Sequence, residues 1–386
     1  MKRMMALILA CACLTGCSTT ATLSPQEEYL NAWYEETDFS GTETIAELYE
    51  AALQEDTLVV YSITTRIYDV VESFQAEYPG LTVEIYDTRA QDLLVTLQEA
   101  YDNEDWFCDI VICSDDNGQQ STELAAIKMV NKYVPVDIEP YILPQCNDVL
   151  LNFVIEAEQL FYNPTVYDSC PIDNWWALTE PEWEGKIYMN SPLRSHPAYA
   201  TVHAVIERSD EMAELYEAYF GEPLDIPEGS CAGEIFWEML VANGLQFTTS
   251  SNELVEIIGG DVPTNDGMAF MISSKIRRSS IGLDVTPAYG VAPCDGVYSA
   301  NSISIAGGSD STATAKLFIR WLLGETDGTG EGLEAYQTDG TWSVRTDVTS
   351  QSEMELDEIE FWDNDKETVL AMEDEVLAFW ATLQTE

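Results

Sequence analysis

The chain has 386 residues, of which 69 are acidic and 16 are basic, and its formal charge at pH 7 is −53. A surface of this charge repels nucleic acid and anionic lipid headgroups, so neither is expected as a partner. Hydrophobic residues make up 46% of the chain and ten residues are tryptophan, which excludes a disordered protein and allows two domains with real cores.

The first 17 residues carry a pattern typical of export. Lys2 and Arg3 precede an apolar run at 4–13 that is too short to span a membrane. Residues 14–17, Leu-Thr-Gly-Cys, resemble the lipobox of bacterial lipoproteins, in which the cysteine is lipidated and becomes the first mature residue. Two or more acyl chains on Cys17 anchor a protein stably. We expect a signal peptide at 1–17 and a protein anchored at the extracellular face of a membrane or in a periplasm; the alternative is an ordinary secretory signal.

Export also permits disulfide bonds, although the sequence does not choose their pairing. Beyond Cys17, the cysteines that remain are Cys108, Cys113, Cys146, Cys170, Cys231 and Cys294. No two of them have Cys-x-x-Cys spacing, and the chain has only two histidines. We therefore expect no metal site and no cofactor.

Strands and helices then alternate along the chain. Residues 18–42 are polar and acidic and predict a tether, with a little helix near Tyr29. Hydrophobic patterns predict strands at 58–62, 81–86, 109–113, 186–189, 267–272 and 301–306. Helices are predicted at 44–54, 211–220, 233–243, 251–258 and 314–323, with capping boxes at Thr88 and Ser250. Repeated strand–helix units predict a parallel α/β sheet.

Several segments, in their order, resemble the iron(III)-type family of periplasmic solute-binding proteins. They are the strand–helix–strand at 58–83, the strand at 109–113, Phe-Tyr-Asn-Pro at 161–164, the Trp-rich segment 175–187, the helix at 315–323 and the segment 341–347. The resemblance covers roughly residues 45–350. It implies a type 2 periplasmic-binding-protein fold, an α/β fold whose two lobes are mostly parallel sheets flanked by helices and joined by a hinge. Lobe 1 is then expected at 43–158, lobe 2 at 159–290, and a return to lobe 1 with C-terminal helices at 291–386.

The same resemblance implies a function. Family members capture a small solute and deliver it to a membrane permease with its ATPase, as part of an ABC importer. We therefore expect a monomeric, non-enzymatic, small-molecule-binding protein that contacts the membrane through its lipid anchor. A secreted enzyme or a surface receptor on the same scaffold stays open as an alternative.

Ligands of open α/β sheets bind beyond the carboxyl ends of the strands, close to helix N-termini. The residues that follow the predicted strands are therefore the candidate ligand-binding residues: Ser62, Thr64, Thr65, Arg66, Thr88, Ser114, Asp115, Asn190, Ser191, Ser273, Ser274, Lys275 and Arg277. Hydroxyls, backbone N–H groups and guanidinium groups suit a phosphate or a carboxylate. The simpler interpretation is that the hydroxyls cap helices and that the basic residues are surface charges.

Iron-binding relatives carry adjacent tyrosines at about the place of Ser273 and Ser274, and a histidine just after the first strand. Their absence here argues against ferric iron and favours an oxyanion such as a sugar phosphate, a phosphonate or a carboxylate. Ferric iron, or a polyamine bound through Asp115 and Asp116, stays open as the alternative. The two histidines have no partner motif, so we expect them at the surface.

Overall fold

The computed structural model describes residues 23–383, so the expected signal peptide and Cys17 lie outside the described residues. Between residues 23 and 383, no helix combines the length and the apolar character that crossing a membrane requires.

The described strands join into one sheet, whose main order is β2-β1-β3-β10-β5-β8-β6-β7. The strands are β1 (Leu58–Ser62), β2 (Val83–Asp87), β3 (Ile110–Ser114), β4 (Val130–Asn131), β5 (Leu151–Tyr162), β6 (Ile187–Asn190), β7 (Gln246–Thr248), β8 (Met268–Ile272), β9 (Thr286–Pro287), β10 (Gly296–Ala306), β11 (Trp342–Ser343) and β12 (Phe361–Trp362). The α-helices are α1 (Pro25–Glu36), α2 (Ile45–Ala52), α3 (Ile67–Glu77), α4 (Ala90–Asn103), α5 (His196–Glu207), α6 (Ser209–Phe220), α7 (Ala232–Ala242), α8 (Ser251–Gly259), α9 (Thr312–Leu323), α10 (Glu331–Glu334), α11 (Lys366–Ala371) and α12 (Glu373–Leu383).

Two long strands join the two lobes of this α/β fold. In lobe 1, β1 pairs in parallel with β2 and β3, and in lobe 2, β6 pairs in parallel with β7 and β8. The crossing strands β5 and β10 are antiparallel to each other, and they pair with β8 and β3 respectively. The predicted strand at 301–306 is only the lobe 1 half of β10. The boundaries of the lobes in the sequence stay a prediction, because β5 and β10 belong to both.

Each lobe has its own hydrophobic core. Helix α3 places Ile67, Val70 and Phe74 on one buried face, the spacing of an amphipathic helix, and this face packs in the core of lobe 1. The core of lobe 2 is rich in tryptophan, and the C-terminal helix α12 adds to it, because the rings of Trp380 and Trp237 lie 5.4 Å apart. The C-terminal helices therefore cover lobe 2.

The segment expected to be a tether contains a helix, α1, that packs on lobe 1. Its Leu30 is fully buried, and the Trp33 indole N–H donates to the Ser309 carbonyl at 2.9 Å. The ring of Tyr29 stacks on that of Trp106 at 5.1 Å. Residues 25–36 are therefore fixed on the lobe, and the helix is longer than the few residues expected near Tyr29.

Three local predictions are wrong. Helix α4 begins at Ala90 without a side-chain cap, because Arg89 and not Thr88 occupies the N-cap position. Ser250 caps α8 through the N–H of Asn252, without the reciprocal bond of a capping box. His196 and His203 are buried in lobe 2 and do not lie at the surface; burial lowers the pKa of His196 to about 4. The six cysteines at 108–294 are all unpaired thiols.

Candidate functional site

The crossing strands form the floor of a charged cleft. Alternate residues of a strand point to opposite faces, so Glu156 and Glu158 of β5 share a face with Ser299 and Asn301 of β10. All four side chains are buried. The amide of Asn301 donates to Glu156 Oε2 at 2.8 Å. The floor therefore presents two carboxylates that lie roughly 7 Å apart along the strand.

Lobe 1 brings Arg66 to this floor. Its Nη2 lies 2.5 Å from Glu156 Oε1, and its guanidinium lies 4.5 Å from the centre of the Tyr336 ring. The Nε and Nη1 atoms of Arg66 are buried and have no hydrogen-bond partner in the described residues. Arg66 therefore keeps donors that are not used within the chain.

The hydroxyls of the same loop shape the backbone around Arg66. Ser62 Oγ donates to the Thr64 carbonyl and accepts from the Thr64 N–H, both at 3.1 Å. Thr64 Oγ1 accepts from the backbone N–H of Arg66 at 3.4 Å, while Thr65 is exposed. These bonds hold the turn between β1 and α3, so Ser62 and Thr64 position the arginine.

Lobe 2 brings a second group of residues from the 3₁₀ helix Ser273–Ile281 that follows β8. Lys275 Nζ donates to Asn252 Oδ1 at 3.0 Å, and Arg277 donates to the Ser274 carbonyl. Ser273 is used within the chain: its Oγ accepts from the Ala157 N–H and donates to the Gly340 carbonyl. The Ser273 hydroxyl therefore bonds within the chain, although the sequence predicted that it would contact a ligand.

The charged residues that lobe 1 and lobe 2 bring to the cleft shift one another's pKa. Burial lowers the pKa of Lys275 to about 8, and the nearby cations Arg277 and Arg66 lower it further against the attraction of Glu156. Burial likewise lowers the pKa of Arg277, with repulsion from Arg66. Burial opposes ionisation of Glu156, but Arg66 and hydrogen bonds from Ser274, Arg66 and Asn301 hold its pKa below the usual value. The structure thus brings Arg66, Ser274, Lys275 and Arg277 around one ionised carboxylate.

Two further carboxylates lie beside this group without partners. Glu158 Oε1 and both carboxylate oxygens of Asp116 are buried and accept no hydrogen bond within 3.5 Å. Burial raises the pKa of Glu158 to about 8; Asp116 also raises it, and Lys275 opposes the rise. Burial raises the pKa of Asp116 as well, although the Lys366 charge and the nearby hydroxyls of Ser114 and Ser299 oppose it.

The remaining predicted residues have other partners. Asp115 accepts from the backbone N–H groups of Gln120 at 2.8 Å and Ser121 at 3.3 Å, so it caps the turn after β3. Asn190 bonds Ser251 and Thr248 beside the start of α8. The others are Ser114, which is buried, and Ser191 and Thr88, which are half-buried. The described contacts do not bring Thr65, Thr88, Asn190 or Ser191 against Glu156.

Sequence reasoning missed the floor of the cleft and Tyr336. Glu156 and Glu158 lie in the middle of a strand, whereas the residues predicted from the sequence follow strand ends. A signal was present, because two carboxylates at alternate positions interrupt the largely apolar run 151–162. Carboxylates are rarely buried without a partner, so such a pair in a buried strand indicates a functional position.

A separate cavity of about 970 Å³ lies on the opposite face of the crossing strands. Its walls include Tyr298 and Ala300, which alternate along β10 with Ser299 and Asn301 of the cleft. The segment 361–367 closes one side of it. In residues 23–383, no cavity or surface holds three or more His, Cys, Asp or Glu side chains placed to bind a metal ion.

Two α/β lobes, two antiparallel crossing strands and a charged cleft between strand ends define the two-lobed periplasmic-binding-protein fold. Solved structures with this fold include iron-bound HitA from Pseudomonas aeruginosa, at 16% identity and a TM-score of 0.63, over 85% of this chain and 99% of that one. The binding protein AfuA from Actinobacillus pleuropneumoniae, with fructose-6-phosphate bound, has 15% identity and a TM-score of 0.63, over 85% and 98%. The Atu4243–GABA receptor has 13% identity and a TM-score of 0.59, over 85% and 98%.

The likeness to these structures shows the fold, which the sequence predicted. No protein-family model and no curated protein matches the chain.

Proposed function

We propose that this protein is the solute-binding subunit of an ABC importer that captures a small oxyanion between its lobes. One observation carries the proposal: Arg66 from lobe 1 and Lys275 and Arg277 from lobe 2 meet at the same cleft, where all three act on Glu156. Around Glu156 three cations face one ionised carboxylate, because the pKa of the neighbouring Glu158 is raised to about 8 and this group keeps its proton at neutral pH. An anionic ligand would supply the missing negative charge.

The strongly negative charge of the whole chain does not prevent anion binding. At physiological ionic strength the Debye length is about 8 Å, so distant carboxylates are largely screened and local donors decide. The unpartnered Nε and Nη1 of Arg66 leave charged N–H donors available to the oxygens of a phosphate, phosphonate or carboxylate. An anion that contacts both lobes stabilises their closed arrangement, because it binds that arrangement more tightly.

Delivery and anchoring belong to the same proposal. A permease and its ATPase receive the solute, and the lipid on Cys17 keeps the protein, as a monomer, at the extracellular face of the membrane. The neighbouring structures are themselves binding proteins for iron, fructose-6-phosphate and GABA, which supports a binding role over an enzymatic one.

Ferric iron is the weaker candidate ligand. The Ser273 hydroxyl, at about the place of a tyrosine in iron-binding relatives, is bonded within the chain. The tyrosine that does border the cleft, Tyr336, is held as a phenol, because burial raises its pKa well above the usual value. A tyrosinate–iron complex gives visible colour, so a stoichiometric coloured complex that survives a mild chelator would show that ferric iron is the ligand.

The direct test starts with thermal unfolding against a panel of phosphates, phosphonates, carboxylates, polyamines and ferric citrate, since a ligand selective for the folded state raises the melting temperature. Titration calorimetry of the best oxyanion then compares wild type with Arg66→Ala and Lys275→Ala. Loss of one charge-assisted hydrogen bond should weaken affinity roughly ten- to a hundred-fold.

The matched control is Lys186→Ala, which removes one positive charge from a half-exposed pair with Asp266 in lobe 2. This variant should bind as wild type does. The proposal fails if only cations stabilise the protein, or if the two cleft variants retain wild-type affinity.

A further inference from the structure

The cleft also holds two carboxyl groups whose buried oxygens have no hydrogen-bond partner. Glu156 is satisfied by Arg66 and Asn301, but Glu158 and Asp116 are each only 2% exposed and their three oxygens named above accept no hydrogen bond. An unpartnered buried acceptor costs roughly 1–3 kcal/mol, and more when it is charged. Such groups persist where a ligand satisfies them, so these carboxylates are a second, separate indication of binding chemistry.

The two carboxyl groups of β5 lie at different positions along the floor of the cleft. Glu156, which holds Arg66, and Glu158 lie on the same face of β5 two residues apart, which is about 7 Å. Arg66 and Arg277 act on Glu156, where Arg66 forms an ion pair, whereas Asp116 acts on Glu158; Lys275 acts on both. The cleft is therefore positive at one end and has unpartnered carboxylates at the other.

We propose that the ligand is a zwitterion, whose acidic group binds Arg66 and Arg277 and whose protonated amine binds Glu158 and Asp116. This inference rests on the proposed function, because it concerns the ligand of the same cleft. A primary ammonium has three N–H donors and no acceptor, which matches the three unpartnered oxygens in number and in kind. A ligand with an oxyanion alone would leave these oxygens buried and unsatisfied.

Proton release should accompany binding of the amine. The pKa of Glu158 is raised to about 8, so the empty site holds a proton on it over much of the neutral range. The groups that act on it are Asp116 of the β3 loop and Lys275 of lobe 2, and Asp116 in turn faces Ser114, Ser299 and Lys366. An ammonium beside Glu158 favours the carboxylate, so the proton leaves when the amine binds.

The test uses matched probes that differ only by the amine: 2-aminoethylphosphonate against ethylphosphonate, and 4-aminobutyrate against butyrate. Titration calorimetry measures both members of each pair. Where a pair shows binding, the member with the amine should bind at least about ten-fold more tightly than the member without it. Calorimetry at pH 7 in two buffers of different ionisation enthalpy should show proton release with the amine only. In Glu158→Gln the preference for the amine-bearing member should fall towards one.

The control is Glu228→Gln, which removes one carboxylate from an exposed loop and should leave the preference unchanged. Equal affinity within each pair that binds, or a preference that Glu158→Gln does not reduce, overturns the zwitterion while the oxyanion proposal stands. If none of these probes binds, and the thermal-unfolding panel yields either no ligand or only a metal cation, the proposed function and this inference both fail. Both also fail if spermidine binds tightly and no oxyanion or zwitterion binds.

Discussion

Arg66 and Glu156 lie 90 residues apart in the chain and form a buried ion pair with 2.5 Å between Nη2 and Oε1. The pair joins the first loop of lobe 1 to a crossing strand, and Asn301 holds the second carboxylate oxygen from the other crossing strand. Glu156 therefore turns the guanidinium towards the floor of the cleft, where its remaining donors are buried and free of partners. The carboxylate acts as a positioning residue for the arginine.

The pair predicts different effects on stability and on binding. Arg66→Met leaves Glu156 buried and uncompensated, so the free energy of unfolding should fall by about 3–5 kcal/mol. The double variant Arg66→Met with Glu156→Gln removes both charges and should regain most of this loss. Neither variant should bind the oxyanion that wild type binds. Urea unfolding and titration calorimetry measure the two effects, and wild-type affinity in the double variant would contradict the role of Arg66.

The parts of this candidate site that follow strands were among the residues that the sequence predicted, and their role in binding stays a prediction. Arg66, Lys275 and Arg277 were identifiable because cations are rare in this chain and these three lie at strand ends. Glu156 and Glu158 were not identifiable. The face of β5 that meets the ligand depends on how β5 pairs with β10, and these two strands lie far apart in the sequence. The same limit applies to Tyr336, whose position beside Arg66 depends on how the chain returns after α10.

Hydroxyl residues show why position alone does not assign a ligand contact. Ser62 and Ser273 were candidates because of their position, and the structure uses both for bonds within the chain. A serine at a strand end satisfies nearby backbone groups as readily as a ligand. Sequence position alone does not separate these roles, whereas the hydrogen bonds of the folded chain do.

The lipid anchor makes a prediction about location. Cys17→Ala removes the thiol that would carry the lipid, so the variant should leave the membrane fraction and appear in the soluble extracellular or periplasmic fraction. Fractionation of cells that express wild type or variant measures this. The control is Cys108→Ala, a buried thiol of lobe 1 that should leave the location unchanged. Equal membrane fractions for wild type and Cys17→Ala would contradict the anchor.

Gly118 joins the loop after β3 to the C-terminal segment. Its φ is +77°, and a Cβ there would lie 2.1 Å from the Lys366 carbonyl oxygen, so Gly118→Ala must displace one of the two segments. The control is Gly221→Ala, which has the same φ with open space around it. Gly221→Ala should cost only the left-handed penalty of about 1–2 kcal/mol, and Gly118→Ala should cost clearly more in urea unfolding. Equal losses of unfolding free energy in the two variants would show that the segment at Lys366 moves away from residue 118 at no cost.

Glu158 predicts how stability depends on pH in the empty protein. Its pKa in the folded state is about 8 against an ordinary value of 4.5, so between these values the folded chain keeps a proton that the unfolded chain has lost. Stability therefore falls as pH rises through this range, by the linkage between proton binding and folding. Glu158→Gln lacks this contribution, so its melting temperature relative to wild type should rise from pH 5 to pH 7.5.

Comparison of the two proteins isolates Glu158 from its titrating neighbours. Asp116 has a raised pKa and contributes a slope of the same sign, but it is present in both proteins. The pKa of Lys275 is lowered to about 8, so it adds stability as pH rises above that value, which is why the comparison stops at pH 7.5. Glu228→Gln, an exposed carboxylate, should keep a constant difference from wild type over the same range. A constant difference for Glu158→Gln as well would mean that Glu158 is ionised in the empty cleft, and that binding of an amine there releases no proton.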